Sequence, residues 1–91
     1  GPDCASGGGW GDEGADFEMI IGYSHCNSKN YAKAIPYFHS AIPIFKTRES
    51  LRKEALCHHY LGIAYERIGD HKAAGKHLLK ALEIRNFRNL C

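Results

Sequence analysis

The chain has 91 residues, with 12 Lys and Arg against 10 Asp and Glu for a net charge of +2, and 44% of it is hydrophobic. That is one small domain. It is too mildly basic for a phosphate-tracking or anionic-membrane binder, so neither a nucleic-acid nor a membrane partner is expected. No apolar run reaches the ~18–20 residues of a membrane span, and no basic segment followed by an apolar one marks a secretory signal. The opening Gly1-Pro2 without Met reads as a scar of tag removal.

Residues 1–14 (GPDCASGGGWGDEG) are rich in glycine and acidic residues and have one large apolar side chain, Trp10. Such a stretch buries too little surface to offset its conformational entropy, and a disordered tail is expected. Trp10 is either solvent-exposed or an anchor for a groove or a partner's pocket. From Asp16, a plausible N-cap, the composition changes and a domain over 15–91 begins. A first helix carries FEMIIGYSHCN and ends in the polar stretch Asn27-Ser28-Lys29-Asn30. The second starts near Tyr31 and carries Ala34, Phe38, Ala41, Ile42 and Phe45 on its apolar face. Pro36 near its first turn costs little, whereas Pro43 should kink the helix or free the carbonyl of His39.

From Ala55 to Arg85 the chain reads as two more amphipathic helices, with Leu61, Gly62, Ala64, Tyr65 and Ile68 on one buried face. Ala74, Leu78, Ala81, Leu82 and Ile84 form the other, and a tight turn at Gly69-Asp70 lies between them. The two halves are copies. Ile21-Gly22 matches Leu61-Gly62, and Ala34, Phe38, Ala41 and Ile44 match Ala74, Leu78, Ala81 and Ile84, all at an offset of 62 − 22 = 40 residues. Repeat 1 spans about 15–48 and repeat 2 about 55–88.

Leu-Gly, Tyr three residues on, Gly-Asp, and then Ala, a large apolar residue and Ala resemble the tetratricopeptide repeat (TPR). The resemblance covers about residues 15–86, and the first copy departs from it at His25 and Lys29. The usual period is about 34 residues; the surplus falls around Lys46 to Glu54, where extra helical turns are expected. Long periods of this kind occur in kinesin light chains, the Pins/LGN class of spindle-orientation adaptors, rapsyn and bacterial peptide-sensing regulators. The resemblance implies an all-α fold, two antiparallel helix pairs stacked as a short right-handed α-solenoid. Its implied function is a cytoplasmic, non-enzymatic scaffold or adaptor binding a partner's peptide or helix in a concave groove. The alternative is a regulatory sensor whose repeat packing is shifted by a small peptide or ligand.

Carried over residue by residue, the family's groove positions are Met19, Tyr23, Cys26 and Asn27 in the first copy, and Leu56, His59, Ile63, Glu66 and Arg67 in the second. Leu56 and Ile63 could equally be core residues of a helix covered on both sides. The Lys, Asn and Arg that clamp a C-terminal carboxylate in chaperone adaptors are replaced by Met19, Tyr23 and Tyr60, so chaperone-tail binding is not expected.

The cysteines Cys4, Cys26, Cys57 and Cys91 are expected as reduced thiols. His25-Cys26 and Cys57-His58-His59 offer zinc-ligand types, but neighbours on a helix diverge by about 100°. His25 is expected to fill the space of the usual Tyr, and His58 that of a large apolar residue; no metal and no cofactor are expected. Gly7-Gly8-Gly9 has no following Lys to make a phosphate loop, and Cys57 has no oriented base, so no enzyme is expected.

Two repeats leave one face of the last helix uncovered. Leu78, Leu79 and Leu82, with Phe87 and Leu90, therefore form an expected self-association surface. Either a further repeat of a longer chain covers it, or two copies pack end to end as a homodimer.

Overall fold

The computed structural model describes the backbone of residues 2–90 and the side chains of residues 14–88. Four α-helices follow one another: α1 (Pro2–Asn27), α2 (Tyr31–Thr47), α3 (Leu51–Arg67) and α4 (His71–Leu90). No strand occurs among the described residues. The helix α1 is continuous from Pro2, which puts Asp16 within the helix rather than at its N-cap. The side chains of the expected tail, Trp10 and Cys4 included, lie outside the described residues. The extra residues of the 40-residue offset are mostly helical, since α2 and α3 are 17 residues each.

The three reversals are built alike. Lys29, Glu49 and Gly69 take left-handed φ angles of 65°, 58° and 92°. The next amide in each reaches back five residues: Asn30 N–H to the His25 carbonyl at 2.8 Å, Ser50 to Phe45 at 2.8 Å, and Asp70 to Tyr65 at 2.9 Å. A second bond closes each turn, from Lys29 N–H to the Cys26 carbonyl at 3.0 Å and its counterparts at Glu49 and Gly69, both 3.1 Å. This pair of bonds is the Schellman ending, which satisfies carbonyls the helix leaves open. The turns recur every 20 residues (29, 49, 69), so each 40-residue repeat is two like helix-turn units. Asp70 also accepts the Ala73 N–H at 3.2 Å on its side chain, capping α4.

Helices pack in chain order, α1 on α2, α2 on α3 and α3 on α4, with α1 also touching α3. The core is Ala15 of α1, Ala34, Phe38, Ala41 and Phe45 of α2, and Cys57 and Leu61 of α3, all fully buried. Burying each Phe contributes about 1.5–3 kcal/mol. Close approach follows the sequence pattern of small against large. A Cβ on Gly22 would lie 3.0 Å from the Phe38 ring, and one on Gly62 2.5 Å from Leu78 Cγ and 3.2 Å from the Ala74 carbonyl. Both pairs are 16 residues apart, the same contact made once in each copy.

Pro36 and Pro43 both sit inside α2, which runs unbroken to Thr47; the Thr47 hydroxyl donates to the Pro43 carbonyl at 2.9 Å. Ile68, expected on the buried face of α3, is instead 49% exposed, because it is the C-cap residue and the chain is already turning there. Among the described residues of α4 only Ala74, Ala81 and Ile84 are buried, while Leu78, Leu79, Leu82 and Phe87 are exposed by 37%, 57%, 51% and 56%. Leu78 spends part of its surface over Gly62. The side chain of Leu90 lies outside the described residues.

Candidate functional site

Between α1 and α3 opens a recess of about 170 Å³ lined by Met19, Ile20, Tyr23, Leu56 and Tyr60. Its walls are almost wholly apolar, and its shape is set by aromatic packing. The Tyr23 ring meets Tyr60 edge-on at 5.1 Å, and Tyr60 stacks on the buried Phe38 at 5.8 Å. The recess therefore has a rigid floor tied to the core. Burial, then Tyr23 and Cys26, push the Tyr60 phenol above its ordinary range, so it stays a neutral hydroxyl.

Leu56 also faces a second recess of about 190 Å³, where Arg52, Ala55, His59, Arg85 and Arg88 come together. His59 lies edge-on to Tyr60 at 5.5 Å, so the two recesses adjoin through the Leu56–Tyr60 turn of α3. Of the expected groove residues, the structure thus brings Met19, Tyr23, Leu56 and His59 together. Cys26 packs half-buried against the core, with its thiol pushed up by burial. Ile63 is half-buried and lines neither recess. Asn27, Glu66 and Arg67 are exposed near the C-terminal ends of α1 and α3; Glu66 faces His71 at 3.6 Å. Ile20 lines the recess without having been chosen as a groove position, and Tyr60, matched only to a position of the absent carboxylate clamp, lines it too. Met19 and Ile20, neighbours on α1, both reach the recess, which a carry-over of single positions does not foresee.

Lys53 ties the N-terminal side of this surface down. Its ammonium lies 3.0 and 3.1 Å from the Asp16 carboxylate oxygens and 5.7 Å from the centre of the Phe45 ring, joining α1 to α3 across the core edge.

A second polar cluster lies between α2, α3 and α4. His58 is buried, and its Nδ1 is 3.0 Å from Nδ1 of His77. The two rings stack at 5.2 Å, His77 stacks on Tyr65 at 5.6 Å, and Tyr65 shares a 3.0 Å hydrogen bond with His39. A contact between two Nδ1 atoms holds one proton. The Glu54 carboxylate lies 3.7 Å from His58 Nε2, beyond hydrogen-bond reach, so that buried ring nitrogen has no hydrogen-bond partner. His58 thus occupies the interior as the expected large residue does, and its pKa is lowered to about 4. Burial is the main cause, with His77, Lys80, Lys46 and His39 adding to it. His77 is lowered too, by burial first and then by His39 and Lys76.

His25, for its part, stacks on Tyr37 at 5.5 Å. Cys57 is fully buried and its thiol is pushed up to about 12, by burial first and by Glu54 and Asp16 after it, so it is a packing residue rather than a thiolate. Among the described residues no three His, Cys, Asp or Glu side chains converge to hold a metal. No described helix is long and apolar enough to cross a membrane.

A search of the curated proteins and of the solved structures gave no match. A family model for the tetratricopeptide repeat, whose members generally mediate protein–protein interactions, matches residues 17–86. Paired helices, the same small-on-large contact in each copy and a match over most of the chain agree: this chain belongs to the tetratricopeptide-repeat family.

Proposed function

We propose that the chain is a non-enzymatic adaptor that holds a peptide or helix of a partner protein against α1 and α3. The observation that carries this is the apolar recess of Met19, Ile20, Tyr23, Leu56 and Tyr60, with its floor fixed on Phe38. A pocket of this size takes one or two apolar side chains, and anchors of that kind supply most of the affinity in helix-in-groove and extended-peptide recognition. Cys26 half-buried, Asn27, Ile63, Glu66 and Arg67 then border the bound segment or support the groove from outside it. With a net charge of +2 and an apolar recess, the reading favours a protein partner over nucleic acid or a membrane surface. It places the chain in the cytoplasm, with its thiols reduced.

The test is selection from a displayed peptide library against the immobilised protein. Enriched sequences should share an apolar anchor, and Tyr23→Ala with Leu56→Asp should abolish their capture while Leu79→Glu leaves it intact. Enrichment that survives the groove substitutions would place binding elsewhere.

The exposed Leu78, Leu79, Leu82 and Phe87 of α4 supply a second contact surface. In the first copy, the residue equivalent to Leu78 is Phe38, which is completely covered. On this reading a following repeat, or α4 of a second copy, covers α4 in the same way.

A further inference from the structure

A pocket of about 380 Å³ opens where α2, α3 and α4 meet, and it shares no residue with the groove. Lys46, Lys76 and Lys80 line it together with His58, His77 and Leu79, and Glu83 is the single carboxylate of the lining. Among the described residues none of the three lysines makes an ion pair. Among the lining side chains three ammonium groups and one carboxylate leave two positive units beside neutral histidines, with the Glu54 carboxylate 3.7 Å behind His58 Nε2. That excess repels a divalent metal, so the close His58–His77 pair is not a cation site in waiting. The cluster is also not demanded by the repeat. At the 40-residue offset, Lys76, His77 and Lys80 correspond to Pro36, Tyr37 and Ser40, and His58 to Glu18. The first copy folds without it.

We infer that this pocket binds a phosphate-class dianion, with Lys46, Lys76 and Lys80 as its charge partners and the His58–His77 pair as its floor. Two unbalanced positive charges match a dianion, and lysine ammonium groups serve phosphate as point charges without needing a planar ligand. The anion is either a small free phosphate monoester or a phosphorylated side chain; the charge and oxygen chemistry are shared.

The groups that face the His58–His77 pair are Glu54 and Tyr65 on α3, His39 and Lys46 on α2, and Lys76 and Lys80 on α4. Burial chiefly keeps the imidazoles neutral and the lysine charges add to it; a bound dianion offsets that second part, so the occupied pocket should take up a proton more readily than the empty one.

The experiment follows the imidazole and amide resonances of the whole chain by NMR at constant ionic strength. Inorganic phosphate should give saturable shifts at His58 and His77, and chloride none. Lys76→Gln with Lys80→Gln should weaken binding about tenfold, while Lys33→Gln on the exposed part of α2 leaves it unchanged. Sulfate, whose charge is constant over this range, should bind several-fold more tightly at about pH 5.5 than at about pH 7.5. A phosphoserine peptide binding more tightly than both inorganic phosphate and its unphosphorylated counterpart would identify the source as a modified side chain. Equal or weaker binding would identify a free phosphate compound. Linear, unsaturating shifts, or shifts indifferent to the lysine substitutions, would overturn the site.

Discussion

Lys29 and Glu49 hold, at φ 65° and 58°, a backbone conformation that Gly69 holds at φ 92° without a Cβ to clash. Left-handed φ costs a non-glycine residue about 1 kcal/mol or more, and glycine returns part of that through a more flexible unfolded chain. Lys29→Gly should therefore stabilise the fold by about 0.5–1 kcal/mol, and Gly69→Ala should destabilise it by about 1 kcal/mol, both measured by urea denaturation. If Lys29→Gly were neutral or destabilising, the turn would not be under the strain its φ implies. The Asp16–Lys53 pair is a different case. With the two side chains 34% and 32% exposed, most of its attraction is screened, and Asp16→Asn should cost no more than about 1 kcal/mol, an effect that shrinks in high salt.

Between helices, the close approach of α3 and α4 rests on Gly62. A Val there would drive a side chain into Leu78 Cγ and the Ala74 carbonyl, and Leu78 could escape only by turning into water. Gly62→Val should lower stability by about 2 kcal/mol or more, read as a fall in Tm, whereas Gly75→Ala, with open space around it, should raise it by several tenths. These helix contacts were legible beforehand. Gly22 and Gly62, Phe38 and Leu78, and the alanines all stood at one offset, and small-against-large spacing is a local signal that tertiary packing merely uses. The groove was only half legible. Met19, Tyr23 and Leu56 could be placed from the repeat and Tyr60 from its match to a clamp position, but Ile20 is a neighbour of a chosen position. Whether one or both of two adjacent residues reach a recess depends on the helix's rotation against its partner. The His58–His77 contact was not legible at all, because it joins two helices 19 residues apart through side chains that carry no shared pattern. The 20-residue half-period was also missed, since two of its three left-handed positions are occupied by Lys and Glu rather than glycine.

For the molecule as a whole, the neutral His58 makes stability depend on pH. Unfolded, its imidazole takes up a proton near pH 6.5; folded, it resists until about 4. Between those values the unfolded chain binds more protons. The contribution is therefore fully present above about 6.5 and is lost as pH falls toward 4. Solvent screening and the nearby Glu54 carboxylate limit it to the order of 1–3 kcal/mol, with His77 adding in the same direction. Denaturation midpoints measured across this range should decline in the wild type and flatten in His58→Leu; an acid dependence unchanged in that variant would assign it to other groups. The uncovered face of α4 acts at the same scale. Light scattering at micromolar concentration should show self-association that Leu79→Glu abolishes. A stable monomer whose Tm ignores both dilution and that substitution would mean that end-to-end packing of two copies does not cover the stripe.

Helices that touch mainly their neighbours in chain order give the fold the cooperativity of a row rather than of a ball. Opening at α4 breaks one interface, while opening at α2 breaks two and at α3 two and the lesser contact with α1, so fluctuation should run inward from the ends. Amide hydrogens should then exchange fastest in α4 beyond Ile84 and slowest around Phe38 and Leu61. A binder held across α1 and α3 spans the slow centre, and its occupancy should slow exchange there while leaving the far half of α4 free to fray.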